Sequence, residues 1–434
     1  MFRAKKKLAI FQKIIFQALI FLLPSQLAYH FWPDWSFIFG IRIDYLSPTI
    51  YLTDILVFLL LLSGFTNGLY LKEKKNNAGH FFLKGFFFLV YILLNLVFSQ
   101  NPYVAAFKWL KLFELGLLGY FISRLPLKNF EDWVTRPLCY SLIFFSLIGI
   151  AQFISGKTLG GILYLFGERR FNLLTPGIAL KEIFGKDFLR AYSTFPHPNS
   201  LAGYYFVALL LALSFGFKKI FHHKLKIMTI LFSFTSLILS FSTSSFLVIV
   251  FIFLSVYLLK KLNINFVKMA KIFIFSAIVF SLILPFISKK ALGLMGTNRE
   301  SIINRLVLAE ASGRILVKSP TIGVGLNNFI VLLPYYVSYP RVSWWLQPVH
   351  NIFLLLFCET GVIGLFMFLN ILSKFFSKLE KHKTVFSEIL AMIFVFTILT
   401  GTVDHYWFTL QQNLLLLSLI FGLTFNNFWC KVKV

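Results

Sequence analysis

The chain has 434 residues, of which 58% are hydrophobic and only 13% are charged. Soluble domains have about 45–50% apolar and about 25% charged residues, so this composition excludes a water-soluble globular protein. The net charge of +26 would suggest nucleic acid in a soluble protein. In a membrane protein it follows from the Lys and Arg of cytoplasmic loops, and no nucleic-acid partner is expected.

Twelve apolar segments are each about the length needed to cross a hydrocarbon core of about 30 Å. In chain order they are 8–23, 49–70, 81–98, 103–122, 137–155, 198–217, 225–241, 245–260, 271–288, 350–373, 385–402 and 407–428. The start MFRAKKK resembles a signal peptide, but without an obvious cleavage site it is expected to remain as the first helix. We predict one all-α integral membrane domain over residues 1–434, with about twelve transmembrane helices.

The fourth segment contains three charged residues, Lys108, Lys111 and Glu114. Their i, i+3 and i+6 spacing places them on one helix face, where they can neutralise one another inside a bundle.

Connections rich in Lys and Arg alternate along the chain with connections that have few of them. More than half of the Lys and Arg residues lie near the two ends of the chain and in every second connection, whereas SQNP, STSS and VDHYW in the opposite set carry none. Both termini are therefore predicted to be cytoplasmic. Two outer connections are nevertheless basic: residues 156–197, and the long loop 289–349 between predicted helices 9 and 10. Long loops translocate largely regardless of charge. A polyanionic ligand outside the membrane explains their basicity, and a pair of solvated surface loops is the alternative.

The first candidate cluster is Arg190-Ala-Tyr-Ser-Thr-Phe-Pro-His-Pro-Asn199, at the start of the sixth helix. A cation and polar groups beside a helix N-terminus predict an anion site that includes His197. Asn199 or Ser200 is expected to cap the helix. The alternative for His197 is also to cap and anchor it.

The second cluster runs from Arg305 to the turn PTIGVGLN, which begins at Pro320. The stretch between them is predicted to be a half-buried helix that Pro320 ends, and the glycines permit tight backbone turns. No strand precedes the GVG sequence, so it is not a dinucleotide fingerprint. Arg305 and Arg314 have the alternative of ordinary salt bridges with Glu300 or Glu310.

The third cluster begins at His350-Asn351, where the tenth helix enters the bilayer. A histidine at this outer mouth is a usable base, and an ordinary interfacial histidine is the alternative. Glu359 lies about 13.5 Å deeper, too far to touch His350, and a carboxylate there must be paired, protonated or functional. Asp404, His405 and Tyr406 fill the last outer turn and are expected to face the same cavity.

These clusters resemble, in order and spacing, the signature of the bacterial O-antigen ligase and O-antigen polymerase family. Arg190 precedes STFPHPN, Arg305 precedes PTIGVG, and His350-Asn351 begins a helix that runs into ETGVIG. The specific resemblance covers residues 190–365.

The resemblance implies a metal-independent glycosyltransferase without a cofactor, acting on the extracytoplasmic face of the bacterial cytoplasmic membrane. Its donor is a glycan on an undecaprenyl-diphosphate carrier, and its acceptor is a hydroxyl of a lipid, a glycan or a protein. Arg190 and Arg305 are implied to bind the diphosphate, and His350 to be the essential base. The possible supporting residues are His197, Asn199, Asn351, Glu359 and Asp404.

The turn after the seventh helix departs from the family pattern. Relatives often read T-x-S-R at this turn, whereas this chain has STSS at 242–245, so one expected cation is absent.

A polymerase that extends the same glycan is one alternative, and a twelve-helix secondary transporter is another. Transporters bind at the midplane between internal repeats, but no half-to-half similarity is evident and charge within the predicted helices is sparse. A non-catalytic membrane scaffold is the third alternative. Cys139, Cys358 and Cys430 show no CxxC spacing, so neither a disulfide framework nor a metal site is expected.

Overall fold

The computed structural model describes residues 2–66, 78–127, 130–214, 220–292, 300–337, 346–382 and 384–426. The protein is mostly helical, at 73%. The first part contains α1 (Phe2–Leu22), β1 (Ala28–His30), β2 (Phe37–Ile38), β3 (Ile41–Arg42), β4 (Thr49–Tyr51), α2 (Leu52–Thr66), α3 (Ala78–Val97), α4 (Pro102–Arg124), α5 (Arg136–Ser155), β5 (Leu180–Ile183), β6 (Lys186–Leu189) and α6 (Pro198–Leu213). The second part contains α7 (Ile220–Leu239), α8 (Thr243–Lys261), α9 (Phe266–Leu292), α10 (Glu300–Lys318), α11 (Phe329–Tyr336), α12 (Ile352–His382), α13 (Val385–Gly401), α14 (Tyr406–Thr409) and α15 (Gln411–Phe425).

Each of the twelve predicted apolar segments contains a helix, and these helices are α1 to α9, α12, α13 and α15. Within the described residues, four stretches are long and apolar enough to cross a membrane: Glu131–Ser155, Thr243–Lys261, Phe266–Ser288 and Ile352–His382. Five further apolar helices are shorter, among them α6 and α13. The chain is therefore a multi-pass membrane protein, whereas the number of twelve spans and the side of each terminus stay predictions.

The long connection between α9 and α12 is largely folded rather than a solvated loop. It contains α10, which ends before Pro320 as predicted, and α11. Apolar side chains of both helices share a buried cluster with the start of α12; examples are Leu308, Phe329 and Leu354. Arg299 and Arg341, two of the basic residues of this connection, lie outside the described residues.

The turn PTIGVG after α10 packs directly against the ETGVIG segment of α12, backbone to backbone. Val324 donates its N–H to the Cys358 carbonyl at 2.9 Å, and Val362 donates to the Pro320 carbonyl at 2.9 Å. A Cβ on Gly323 would collide with the backbone of α12, and a Cβ on Gly361 would collide with the turn after α10. Gly361 has a φ of +64° and interrupts the helical geometry of α12. Glycine is required here because of close approach as well as conformation, and the contact fixes α10 against α12.

Three small antiparallel sheets were not predicted: β1 with β4, β2 with β3, and β5 with β6. Their strands have only two to four residues, too short for an alternating pattern to be recognised. The two hairpins turn on Phe-Gly rather than the usual Asn-Gly, so the turn signal was missing as well.

The charged residues of α4 form a different network from the one that the spacing predicts. Lys111 pairs with Glu114 at 3.0 Å as expected, and also with Asp54 of α2 at 2.6 Å. Lys108 instead donates to the Phe408 carbonyl at 3.1 Å. These contacts therefore join three elements, α2, α4 and α14, rather than neutralising one face of α4.

Candidate active site

The start of α12 is fixed by Asn351. Its side-chain oxygen accepts from the backbone N–H groups of Phe353 and Leu354, at 2.9 and 3.1 Å, which caps the helix. Its side-chain amide donates to the Thr402 carbonyl at 3.0 Å. Because Thr402 lies just after α13, this one side chain ties the beginning of α12 to the end of α13. His350, one residue before the cap, is thereby held against the turn that carries Asp404.

His350 and Asp404 face each other. The His350 Nδ1 lies 3.7 Å from the Asp404 Oδ1, longer than a hydrogen bond but a separation that catalytic pairs often show without substrate. The Asp404 carboxylate is buried, and it accepts from the backbone N–H of His405 at 2.8 Å and from the Asn199 amide at 3.1 Å. Burial by itself would raise the pKa of Asp404, but His350, His405 and His197 outweigh it and lower this pKa well below the usual range. The site therefore holds a permanent negative charge next to one nitrogen of His350.

Arg190 joins the same network from the opposite side. Its Nη2 donates to the Asn199 side-chain oxygen at 2.8 Å, and its Nε donates to the Ser240 carbonyl at 2.6 Å. Asn199 thus connects Arg190 directly with Asp404. Ser240 lies at the turn between α7 and α8, where the sequence lacks an expected cation. The guanidinium of Arg190 lies beside that turn and brings a positive charge to it.

Arg305 lies on α10, with its side chain half-buried. Burial lowers the pKa of His197 and of His405, and the positive charge of Arg305 adds to both shifts. The structure therefore places Arg305 near the group that contains these histidines and Asp404. Arg314, by contrast, pairs with Glu310 at 2.8 Å, which confirms the salt-bridge alternative for that residue.

Glu359 is the one predicted site residue that lies apart from this group. It is buried in α12, where its Oε1 accepts from the Phe329 N–H at the start of α11, at 3.4 Å. Its carbonyl accepts from Gly325 and from the side chain of Asn95, at 3.1 and 2.9 Å. Glu359 is thus part of the contact that fixes α11 to α12.

His197, rather than Asn199 or Ser200, caps α6. Its Nδ1 accepts from the Asn199 N–H at 3.1 Å, which is the alternative that the sequence left open for His197. Burial lowers its pKa to about 4; Asp404 opposes this shift, and the charges of Arg190, His350 and Arg305 add to it. His197 is therefore a neutral acceptor at neutral pH, as a cap requires.

Because the cap requires a neutral His197, we predict that the stability of the folded protein falls in acid. The folded pKa of His197, about 4, lies below the ordinary value of 6.5, so its contribution to stability is complete above about pH 6.5 and is lost as the pH falls towards 4. His197→Asn keeps a capping acceptor but does not titrate. In detergent, we expect its melting temperature to drop less than that of the wild type between pH 7 and pH 5. His223→Asn, at an exposed position of α7, is the matched control and should behave as the wild type. Equal pH dependence of all three proteins would contradict the assignment.

His405, expected from the sequence, and two further residues complete the site. The ring of His405 lies 5.1 Å from that of His350, and the ring of Tyr45 meets His405 edge-on at 5.6 Å. The Arg169 Nη2 donates to the Pro196 carbonyl at 2.7 Å. The only sequence signal for Arg169 is the general basicity of the connection 156–197. No motif surrounds Tyr45, and no sequence signal identified it.

Three ligand atoms could in principle hold a metal ion. One from each of His350, Asp404 and His405 lie within 4.8 Å of one another. Both oxygens of Asp404 already accept hydrogen bonds, and the Nδ1 of His405 lies 2.8 Å from the Thr409 hydroxyl. The positive charge of Arg190 acts on Asp404, and that of Arg305 acts on His405. These surroundings suit an anion better than a divalent cation.

The group of residues as a whole combines a base with anion-binding groups. With Nδ1 of His350 turned towards a carboxylate, Nε2 remains to accept a proton. The two guanidiniums can bind an oxyanion, and the low dielectric of a partly buried site strengthens that attraction. The arrangement can therefore activate a hydroxyl while stabilising a phosphorylated leaving group.

A comparison with known proteins matches part of this chain. The family model described as O-antigen ligase matches residues 228–369, a stretch that contains Arg305, His350 and the two glycine motifs. The resemblance proposed from the sequence is thus confirmed over this region. Arg190, Asn199 and Asp404 lie outside the matched stretch and are connected to it by their contacts. No curated protein matches the chain.

Proposed function

We propose that the protein transfers a glycan from an undecaprenyl-diphosphate carrier to an acceptor hydroxyl on the outer face of the cytoplasmic membrane. The matched O-antigen ligase family supports a lipid-linked glycan as substrate. The observation that carries the proposal is the placement of His350 against a buried carboxylate on the face that Arg190 and Arg305 share.

The chemistry is a single displacement. Nε2 of His350 accepts the proton of the acceptor hydroxyl as its oxygen forms a bond to the anomeric carbon. The bond from that carbon to the diphosphate oxygen breaks, and the carrier diphosphate leaves with the electron pair. Arg305, together with Arg190 and Arg169, offsets the charge that develops on this leaving group. The donor is already activated, so ATP is not required, and the anomeric configuration inverts. From the family resemblance, we also expect transfer without a metal ion.

The direct test is transfer by the purified protein in liposomes, with an undecaprenyl-diphosphate oligosaccharide as donor. We expect carrier release that depends on the acceptor and that continues in the presence of EDTA. A ladder of products would identify a polymerase, and a single addition would identify a ligase. Retention of the anomeric configuration would contradict the single displacement. Uptake of the substrate without transfer would instead indicate a transporter.

Asp404 is expected to act through His350. In Asp404→Asn, the loss of the negative charge removes stabilisation of the protonated imidazole, and transfer should fall by at least about tenfold. The loss should be confined to the maximal rate, with binding of the donor kept. A purely structural role would lower the amount of folded protein and leave the rate of each remaining folded molecule unchanged. Asn413→Ala, at a buried position that contacts Ser200 away from His350, controls for general disturbance of this end of α6.

A further inference from the structure

Two β-hairpins of the same construction lie in predicted outer connections, one between α1 and α2 and the other between α5 and α6. Phe39-Gly40 joins β2 to β3, and Phe184-Gly185 joins β5 to β6. The φ angles are +52° and +75° in the first turn and +51° and +75° in the second. Positive φ at both central residues is the mark of a type I′ turn, which strongly prefers Asn-Gly or Asp-Gly.

Phenylalanine is an unfavourable residue for this position. A bulky side chain is rare at positive φ, where Asn and Asp are enriched. The strain is not offset by packing within the chain, since Phe184 is fully exposed and Phe39 is 72% exposed. Two hairpins therefore present an aromatic ring at the tip, in a conformation that disfavours it, and the described part of the chain provides no packing that compensates.

The surroundings indicate an apolar partner. On the second hairpin, Lys181 and Lys186 are balanced by Glu182 and Asp187, so charge gives no preference for an acidic or a basic partner. The connection before it exposes further large apolar side chains: Ile162, Leu165 and Leu174.

The first hairpin lies among aromatic residues. Tyr29 and Phe31 are exposed beside it, and Arg42 stacks over the Trp32 ring at 5.3 Å. Such belts of aromatic rings with a nearby cation are typical of the membrane–water interface. We propose that the rings of Phe39 and Phe184 insert into the interfacial region of the outer leaflet and anchor both hairpins on the bilayer.

This anchoring has a consequence for the site. The root of the second hairpin is rigid, because Phe188 stacks on Phe153 at the end of α5 with ring centres 5.7 Å apart. Leu189 is buried and the next residue is Arg190. At about 3.3 Å per residue, the strand from Lys186 to Leu189 places the turn about 10 Å from Leu189. A tip fixed in the interface therefore fixes the height of Arg190 relative to the lipid phosphates. The inference depends on the outward placement of both hairpins and not on transferase activity.

Depth-dependent fluorescence tests the anchoring directly in liposomes. In a background with Cys139→Ser, Cys358→Ser and Cys430→Ser, an environment-sensitive label is attached to Phe39→Cys, Phe184→Cys or Glu182→Cys. We expect blue-shifted emission and strong quenching by nitroxide lipids at positions 39 and 184, and stronger quenching by aqueous iodide at position 182. Glu182 is the matched control because it is an exposed polar residue of the same hairpin. Iodide quenching at both tips equal to that at position 182 would overturn the proposal.

A second variant distinguishes the effect of the Phe184 ring from that of the turn conformation. Phe184→Asn supplies the residue that a type I′ turn prefers, so the hairpin should keep its conformation and the protein its melting temperature. With the label at position 182, we expect this variant to show red-shifted emission and increased iodide quenching, because the hairpin moves away from the bilayer. An unchanged signal in a folded variant would show that the ring is not the anchor, and the proposal would be wrong.

Discussion

Replacement of His350 by alanine is expected to reduce glycan transfer by roughly 10²–10⁴-fold, the usual contribution of a positioned general base. The acceptor hydroxyl would then lose its proton to water, whereas Arg190 and Arg305 would still hold the carrier diphosphate. Donor binding should therefore change little while the maximal rate falls. Carrier release at saturating donor, measured in liposomes, gives the rate, and binding of a non-transferable carrier diphosphate gives the affinity.

His405→Gln is the informative comparison for this variant. Its ring lies next to that of His350, but its Nδ1 is 2.8 Å from Thr409, and burial, with the charges of His350, His197 and Arg305 added and Asp404 opposing, lowers its pKa to about 3. A histidine that stays neutral and hydrogen-bonded is a poor proton acceptor, so His405→Gln should retain most of the rate. Equal loss in the two variants would mean that His350 is only one member of a structural histidine cluster.

The sequence was sufficient to locate the apolar helices, because a long apolar run indicates burial or lipid contact whichever elements pack beside it. It was also sufficient to identify Asn351 as a residue of interest. Its actual task, capping α12 and holding Thr402, needs the position of α13, which periodicity does not provide. The same limit applies to Lys111, whose partner on α4 follows from helical spacing whereas Asp54 on α2 does not.

The candidate site was predictable residue by residue but not as a network. Arg190, Asn199 and Asp404 were each selected for their chemistry and their place beside a membrane helix. That Asn199 connects the other two depends on the packing of α6 beside the turn after α13, across more than 200 residues of chain. Tyr45 shows the other limit, because an aromatic residue in an unremarked loop carries no local signal of the histidine that it contacts.

For Glu359, the sequence predicted its depth along α12 correctly but did not identify its role. The helical rise places it too deep to reach His350, and the structure has it accepting from Phe329 instead. The glycine motifs on either side explain why: they bring the turn after α10 so close to α12 that the carboxylate meets the start of α11. A pattern shared with a catalytic family can thus record a packing requirement rather than chemistry.

Arg305 is expected to show the second large effect. Arg305→Ala removes a guanidinium from the position where the leaving diphosphate gains charge, and transfer should fall by about 10²–10³-fold. Arg305→Lys should recover part of this loss, since an ammonium keeps the charge but cannot form the two parallel hydrogen bonds of a guanidinium. A structural role for Arg305 would instead give similar defects in folding for both variants, and size-exclusion profiles in detergent distinguish these cases.

The control for Arg305 lies on the same helix. Arg314 is half-exposed and bridges to Glu310, so Arg314→Ala removes a cation from α10 at the cost of a surface ion pair worth about 0–1 kcal/mol. If general positive charge on the outer face draws the donor in, the two alanine variants should lose activity to a similar extent and regain it at low salt. If Arg305 contacts the diphosphate, its loss should persist at low salt and should be confined to that position. The salt dependence therefore decides between attraction by the whole surface and binding at one site.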